Sequence, residues 1–421
     1  MQLEDWLNRL EKLHFKSIDM GLERIRVVAE RLQLLSDTPF IFTVAGTNGK
    51  GSTVALINEF LRAGNHTTGV YTSPHLVRFN ERVMINGCQC DDEQLVRAFA
   101  AVEAQRGDVS LTYFEFTTLA AIWLFKQENL DTWILEVGLG GRLDAVNVWA
   151  PSIAVVTSID LDHQEWLGSD RTQIGYEKIG IGRAGRPLVI GEADLPRDVA
   201  ERAGQMGCQL YQQGDHFDWQ ATESGWSATV TGNDGRQCRY EQLTTPAIYL
   251  QNAATALQAL VLAPFPLLPS QYNQALSRVS VTGRRQVIHD HPRVMLDVGH
   301  NPHAAKALAH YLKALPKRRV HCVIGMLADK DILNTVLELL PVVDHWYPAE
   351  LQAERAAQAG DLRQRLLDAG ALCDAPQPSP STICRKLVKT VDKNDLILVF
   401  GSFYTVADVI QYSGLMHSDK D

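Results

Sequence analysis

The apolar run Phe40-Ile41-Phe42-Thr43-Val44 breaks into Gly46-Thr47-Asn48-Gly49-Lys50-Gly51-Ser52, and apolar residues then return at helical spacing as Val54, Ile57 and Leu61. A strand, a glycine-rich turn and a helix starting near Lys50 aim backbone N–H groups and a helix N-terminus at one point, which is an arrangement that cradles phosphate. Lys50 would reach the β and γ phosphates. A ligand-free glycine turn is the plain alternative. Glycines, a lysine and a hydroxyl grouped after a buried strand favour phosphate.

The same rhythm continues through Gly69-Val70-Tyr71, Trp133-Ile134-Leu135-Glu136-Val137 and Ile153-Ala154-Val155-Val156-Thr157. Near-continuous apolar strands alternating with helices imply a parallel sheet covered on both faces. Before them, Ile25, Val28, Leu32 and Leu35 share one helical face, a stripe expected to be core. Between Cys208 and Tyr240 the chain turns polar, with Gly232-Asn233-Asp234-Gly235, and a small β insertion is expected. Three further buried runs start at Arg293, Val320 and Leu396, and Asp374 to Pro380 reads as a surface loop. The expected class is α/β. A P-loop-type, mostly parallel sheet ATPase domain spans 1–284, and a smaller Rossmann-like α/β domain spans 285–421.

Composition excludes several classes. A chain of 421 residues suits two domains. A formal charge of −9 without a basic run argues against nucleic acid, so any anionic substrate must meet local positive charge. The longest apolar stretch, Leu260 to Leu268, is broken by Pro264 and Pro266 and falls short of the roughly 18 residues a membrane span needs. The start, Met1 to Trp6, lacks the features of a signal peptide, which makes the cytoplasm the expected location. Seven cysteines without paired spacing read as reduced thiols.

The loop departs from G-x-x-x-x-G-K-[ST], because Val44 stands at its first glycine and Gly51 separates Lys50 from Ser52. In this form it resembles the Mur ligase superfamily of ATP-dependent, amide-forming enzymes. Glu136 alone is a strand-end acid beside the loop, either a salt-bridge partner or a metal ligand. The run that follows, Gly138-Leu139-Gly140-Gly141-Arg142-Leu143-Asp144-Ala145-Val146-Asn147, closely resembles the signature of that superfamily's folylpolyglutamate and dihydrofolate synthases, with Val146 where Thr is expected.

The resemblance runs from about Leu13 to Tyr404 and implies roles residue by residue. Gly46 to Ser52, Asn252, Arg284 and Asp297 would meet ATP. Ser52, Ser73, Glu136, His163 and Lys178 would hold magnesium, two ions in all, with Lys178 carbamylated and Asp162 orienting the His163 ring. Lys178 read alone is a solvated helix lysine, and Ser73-Pro74 a turn. Asp19, Gly21 and Leu22 in the Ser17 to Leu22 segment, Arg82, Thr112 to Glu115 and Leu143 to Ala145 would enclose the folate. Asp297, His300, Ser402 and Tyr404 would meet glutamate. Asn301-Pro302 reads as a helix start, and Gly299 replaces the commoner Ala.

Lys50, His163 and Lys178 would be catalytic. ATP would phosphorylate a substrate carboxylate, and the α-amino group of L-glutamate would attack the acyl phosphate. The implied carboxylates are 7,8-dihydropteroate and the γ-carboxylate of reduced folates. Closure of a cleft between the two domains and a monomeric state are further expectations. The alternatives are a folylpolyglutamate synthase alone, a peptidoglycan Mur-type ligase, or a regulatory P-loop switch.

Overall fold

The computed structural model describes residues 2–414 apart from Phe15 and Ser17. These form two compact units, 1–279 and 280–421.

In the first unit eight strands form one sheet. They are β1 (Phe40–Ala45), β2 (Thr68–Tyr71), β3 (Val83–Ile85), β4 (Cys88–Gln89), β5 (Thr132–Glu136), β6 (Ile153–Val156), β7 (Pro187–Ile190) and β8 (Gln209–Gln212). Their order is β4-β3-β2-β5-β1-β6-β7-β8, parallel from β2 to β8, with β3 and β4 added antiparallel at one edge. Side chains alternate between faces with period two. Ile41, Tyr71, Trp133, Leu135, Val156 and Ile190 join a core with the helices Leu3–Leu10, Glu23–Arg31, Asp92–Arg106 and Tyr113–Gln127. The helices Lys50–Ala63 and Leu250–Val261 cover the other face.

The structure gives detail to three local expectations. The helix Glu23–Arg31 ends before Leu32, and Gln33 takes φ +58°, so the chain turns; Ile25, Val28 and Leu34 are buried in the core, and Leu32 and Leu35 pack against it partly buried. The polar insertion is a three-stranded antiparallel sheet of β9 (Asp218–Thr222), β10 (Gly225–Thr231) and β11 (Gln237–Leu243). It is fastened to the helix Leu250–Val261 by Gln258, whose amide gives 2.7 Å to Thr231 O and accepts 2.9 Å from Thr231 N. Asp374 to Ser379 is the expected surface loop, tied down where Asp374 N donates to Trp346 O and Gln377 N to Pro348 O, and Pro380 opens the helix Pro380–Thr390.

The second unit holds β12 (Gln286–Asp290), β13 (Arg293–Asp297), β14 (Val320–Ile324), β15 (His345–Pro348) and β16 (Leu396–Phe400) in the order β12-β13-β16-β14-β15. All but β12 are parallel. Met295, Leu398, Phe400, Ile324 and Trp346 pack one face under the helices Pro302–Ala314 and Ile332–Leu339. The α/β class of both units agrees with the sequence reading. No helix among the described residues is long and apolar enough to cross a membrane.

Strand β5 lies in the middle of the large sheet, and Ile134 is fully buried. Ile134→Ala should cost about 2–5 kcal/mol through lost packing and the cavity left behind. Urea unfolding should show a lower midpoint at unchanged slope.

Candidate active site

Parallel strands place their following loops at one edge, and ligands bind outside the carboxyl ends where the strand order reverses. That edge gathers the ends of β1, β5 and β6. The loop after β1 enters the helix Lys50–Ala63 through Gly49, whose φ of +89° suits glycine. A Cβ there would lie 2.3 Å from Asn252 Oδ1, so Asn252 sits against the loop. Asn252 belongs to the helix Leu250–Val261. A Cβ at Gly46 would meet Thr157 Oγ1 at 1.9 Å.

The end of β6 clamps this loop. Thr157 Oγ1 and Ser158 Oγ donate to Asn48 O at 2.6 and 3.1 Å, and Asn48 N donates to Ser158 Oγ at 3.0 Å. Thr47 N donates to Ser158 O at 2.9 Å, and Thr47 Oγ1 pairs with the Asp160 backbone. Lys50 Nζ donates to Gly46 O at 2.9 Å, which holds the ammonium over the loop. Thr157 received no role from the sequence, although a hydroxyl at a strand end beside the loop was a usable signal.

Glu136 ends β5, paired with Val44 of β1, and is buried. Its Oε2 accepts from Ser73 N at 3.2 Å, and a Cβ at Gly51 would lie 3.8 Å from it. Glu136, Ser73 and the start of the Lys50–Ala63 helix, including Ser52, therefore converge. His163 stands exposed at φ +50°, with ring Nε2 3.9 Å from Asp162 Oδ2. Among the described residues no three His, Cys, Asp or Glu side chains cluster as a metal site. The Glu136 carboxylate and the hydroxyls of Ser52 and Ser73 are hard oxygens of the kind that suit magnesium or manganese.

Lys178 overturns its solvated reading. The helix Arg171–Ile179 buries Ile174, Gly175, Lys178 and Ile179, so the i, i+4 spacing from Ile174 turns Lys178 inward. Burial, with Lys50 nearby, draws its ammonium down to about 7 against the opposing pull of Asp162. Asp144, buried as well, is pushed up to about 7 by desolvation despite N–H donors from Leu139, Val146 and Gly138 and the nearby Lys50. Val146 is fully buried, so packing replaces the polar contact its expected Thr would make.

The candidate folate segments also meet. Arg24, unassigned by sequence reasoning, gives 2.6 Å to Asp19 Oδ2 and 3.1 Å to Glu115 Oε1, joining two of them. Thr112 caps the helix Tyr113–Gln127 with Glu115 in a capping box. Phe114 lies against Tyr71 and over Gly138, where a Cβ would be 2.7 Å away. Arg82 sits 5.5 Å from the Tyr113 ring centroid, and its Nε donates to His75 Nδ1 at 2.8 Å. Gly21, Leu22 and Leu143 are partly exposed and Ala145 is buried, while Ser17 lies outside the described residues.

In the second unit Asp297 ends β13 beside Phe400 of β16. Its Oδ1 accepts from Gly299 N at 2.8 Å and Oδ2 from Arg285 N at 3.1 Å. Burial raises its pKa, with Arg284 opposing. A Cβ at Gly299 would lie 2.9 Å from that carboxylate, so glycine leaves it room. Asn301 caps the helix Pro302–Ala314 as expected. Arg284 and His300 flank the Phe403 ring at 5.5 and 6.2 Å, and Ser402 caps the last helix. Tyr404 is exposed.

Comparison with known proteins identifies the family. The Mur ligase middle domain matches residues 44–216, and the Mur ligase glutamate ligase domain matches 283–403. The dihydrofolate synthase/folylpolyglutamate synthase of Escherichia coli K12 is 44% identical over 410 residues, covering 97% of this chain and 95% of that one. The chain belongs to the dihydrofolate synthase/folylpolyglutamate synthase family of Mur ligases. Among solved synthases, E. coli FolC in complex with DHPP and ADP superposes with a TM-score of 0.93 at 44% identity, over 98% of this chain and 97% of that one. A bifunctional synthase with Mn, AMPPNP and L-glutamate bound gives 0.89 at 45% identity, over 97% of each chain.

For this synthase, Gly49→Ala should distort the loop, because the new side chain meets Asn252 and the left-handed backbone costs about 1–2 kcal/mol. The KM for ATP should rise by about tenfold while the KM for glutamate stays level, as steady-state kinetics would read.

Proposed function

We infer that this chain is an ATP-dependent ligase that adds L-glutamate to 7,8-dihydropteroate and to the γ-carboxylate of tetrahydrofolates through an acyl phosphate. The observation that carries the reading is the clamped loop Gly46–Ser52 with Glu136 beside it, in a chain of this synthase family.

The chemistry follows from the residues. The substrate carboxylate attacks the γ-phosphoryl group in line, and ADP leaves. Lys50 and the loop N–H groups offset the charge that develops. The glutamate amine, once it has lost a proton, attacks the acyl carbon, and phosphate departs with the amide formed. ATP and a divalent cation are the cofactors of this reaction. Ser52, Ser73, Glu136 and His163 would hold the cation, which when bound adds positive charge beside the phosphates. Asn252 and Arg284 would assist ATP binding. Asp297, His300, Ser402 and Tyr404 would receive glutamate. Asp19, Gly21, Leu22, Arg82, Thr112 to Glu115 and Leu143 to Ala145 would enclose the pterin-bearing substrate.

Carbamylation of Lys178 and a second magnesium belong to the same reading. Only a neutral amine attacks carbon dioxide. The product is a carbamate, and one proton is released. A buried lysine drawn down to about 7 supports that step. The domains are read as 1–284 for ATP and folate and 285–421 for glutamate, in a monomer acting in the cytoplasm; light scattering on the purified chain checks the monomer.

Lys50→Ala should lower both ligations together by at least about 10²-fold, measured as ADP release with glutamate plus either dihydropteroate or tetrahydrofolate. Retention of either activity would count against a single centre, and ligation to tetrahydrofolate but never to dihydropteroate in the unaltered chain would leave a folylpolyglutamate synthase alone. With ¹³C-bicarbonate, the carbamate NMR signal should rise between pH 6 and pH 8 as Lys178 passes from ammonium to amine, and Lys178→Ala should abolish it.

A further inference from the structure

The glycine-rich segment after β5 and the carboxyl end of the helix Arg171–Ile179 are tied together on both sides of Lys178. On one side, Arg142 N donates to Glu177 O at 2.8 Å, and the Arg142 guanidinium gives 3.1 and 2.8 Å to Glu177 Oε1. On the other, Asn147 Nδ2 donates to Arg142 O at 2.9 Å and to Gly180 O at 3.3 Å. Arg183 completes the connection. Its Nη2 donates to Asn147 O and Oδ1 at 3.0 and 2.9 Å, and its Nη1 to Ile181 O and Gly182 O at 2.9 and 3.0 Å.

The close approach is built in. A Cβ at Gly141 would lie 2.7 Å from Glu177 O and 3.0 Å from Lys178 O, and one at Gly180 would lie 2.5 Å from Arg142 Cβ. Asn147 is buried, and all of Arg183's acceptors named here are neutral oxygens, two of which, Ile181 O and Gly182 O, lie just past the carboxyl end of the helix Arg171–Ile179, where a cation complements the dipole. The same bonds hold the turn that carries Asp144, since Asp144 N donates to Gly141 O and Asn147 N to Asp144 O. None of Arg142, Asn147 and Arg183 has a binding or chemical role in the reaction above.

We propose that Arg142, Asn147 and Arg183 are positioning residues, a bracket that fixes the backbone on either side of Lys178 and so sets where its amine, and the carbamate formed on it, stand relative to Lys50 and Asp144. The proposal rests on the reading of Lys178 as an active-site group. A lysine has four rotatable bonds and no rigid shape, so its head can be placed only if its Cα is held. Misplacement of a reacting group by about 1 Å costs up to about 10²-fold in rate.

The test uses the full chain with Asn147→Ala, Arg142→Gln and Lys178→Ala. Asn147→Ala should lower kcat by about 10-fold or more, the usual scale for losing a support behind a ligand, and should raise the magnesium and bicarbonate concentrations for half-maximal activity. The KM for glutamate should stay within about twofold. Arg142→Gln removes a half-exposed contact with little risk to folding and should move the same quantities in the same direction. Normal kcat and normal magnesium midpoints in both variants, with Lys178→Ala inactive, would overturn the bracket alone. So would a loss of activity matched by the unfolded fraction at a normal magnesium midpoint. A fully active Lys178→Ala would overturn the Lys178 reading and the bracket with it.

Discussion

The phosphate loop keeps its shape because β6 holds it. Two hydroxyls at the end of that strand, on Thr157 and Ser158, satisfy the Asn48 carbonyl, and the Thr47 backbone and side chain are fastened to Ser158 and Asp160. The bonds are possible only because β1 and β6 are parallel neighbours in register, with Ala45 opposite Val156. The loop is thus ordered by folding rather than by ATP, so the ordering cost is not deducted from binding.

Around that loop the first unit buries charge that a purely structural core would avoid. Lys178 and Asp144 are both taken out of water, and each is shifted toward neutrality by burial. Perturbed groups of this kind concentrate at functional sites. The second unit repeats one device of the first. Asp144 follows the end of β5 and accepts backbone N–H groups from Gly138, Leu139 and Val146, and Asp297 ends β13 and accepts them from Gly299 and Arg285. Such bonds keep a buried carboxyl oriented without a rigid ion pair. The chain is acidic overall, yet Lys50, Arg24 and Arg82 lie in the first unit's candidate site region, where an anionic ligand needs local positive charge.

The strands that carry the site were legible because buried parallel strands leave unbroken apolar runs, and Glu136 and Asp297 end such runs where the loops begin. The Asn301 cap was legible for the same local reason. The small antiparallel sheet was legible as a β insertion from its polar, turn-rich chain, but its individual strands were not, since β9 and β11 bury few side chains. Lys178 was misjudged in its surroundings, since a buried face appeared as a solvated one.

By itself the sequence determined the α/β class, the phosphate loop, the family and the positions where acids, hydroxyls and lysines stand at strand and helix ends. Those depend on short-range patterns, in which hydrophobic period and turn residues are read directly. The tertiary structure alone decided that Thr157 clamps the loop, that Arg24 bridges Asp19 and Glu115, and that Arg142, Asn147 and Arg183 close around Lys178. Each joins residues whose distance along the chain says nothing of their distance in space, and a buried lysine differs from a solvated one only in what packs over it.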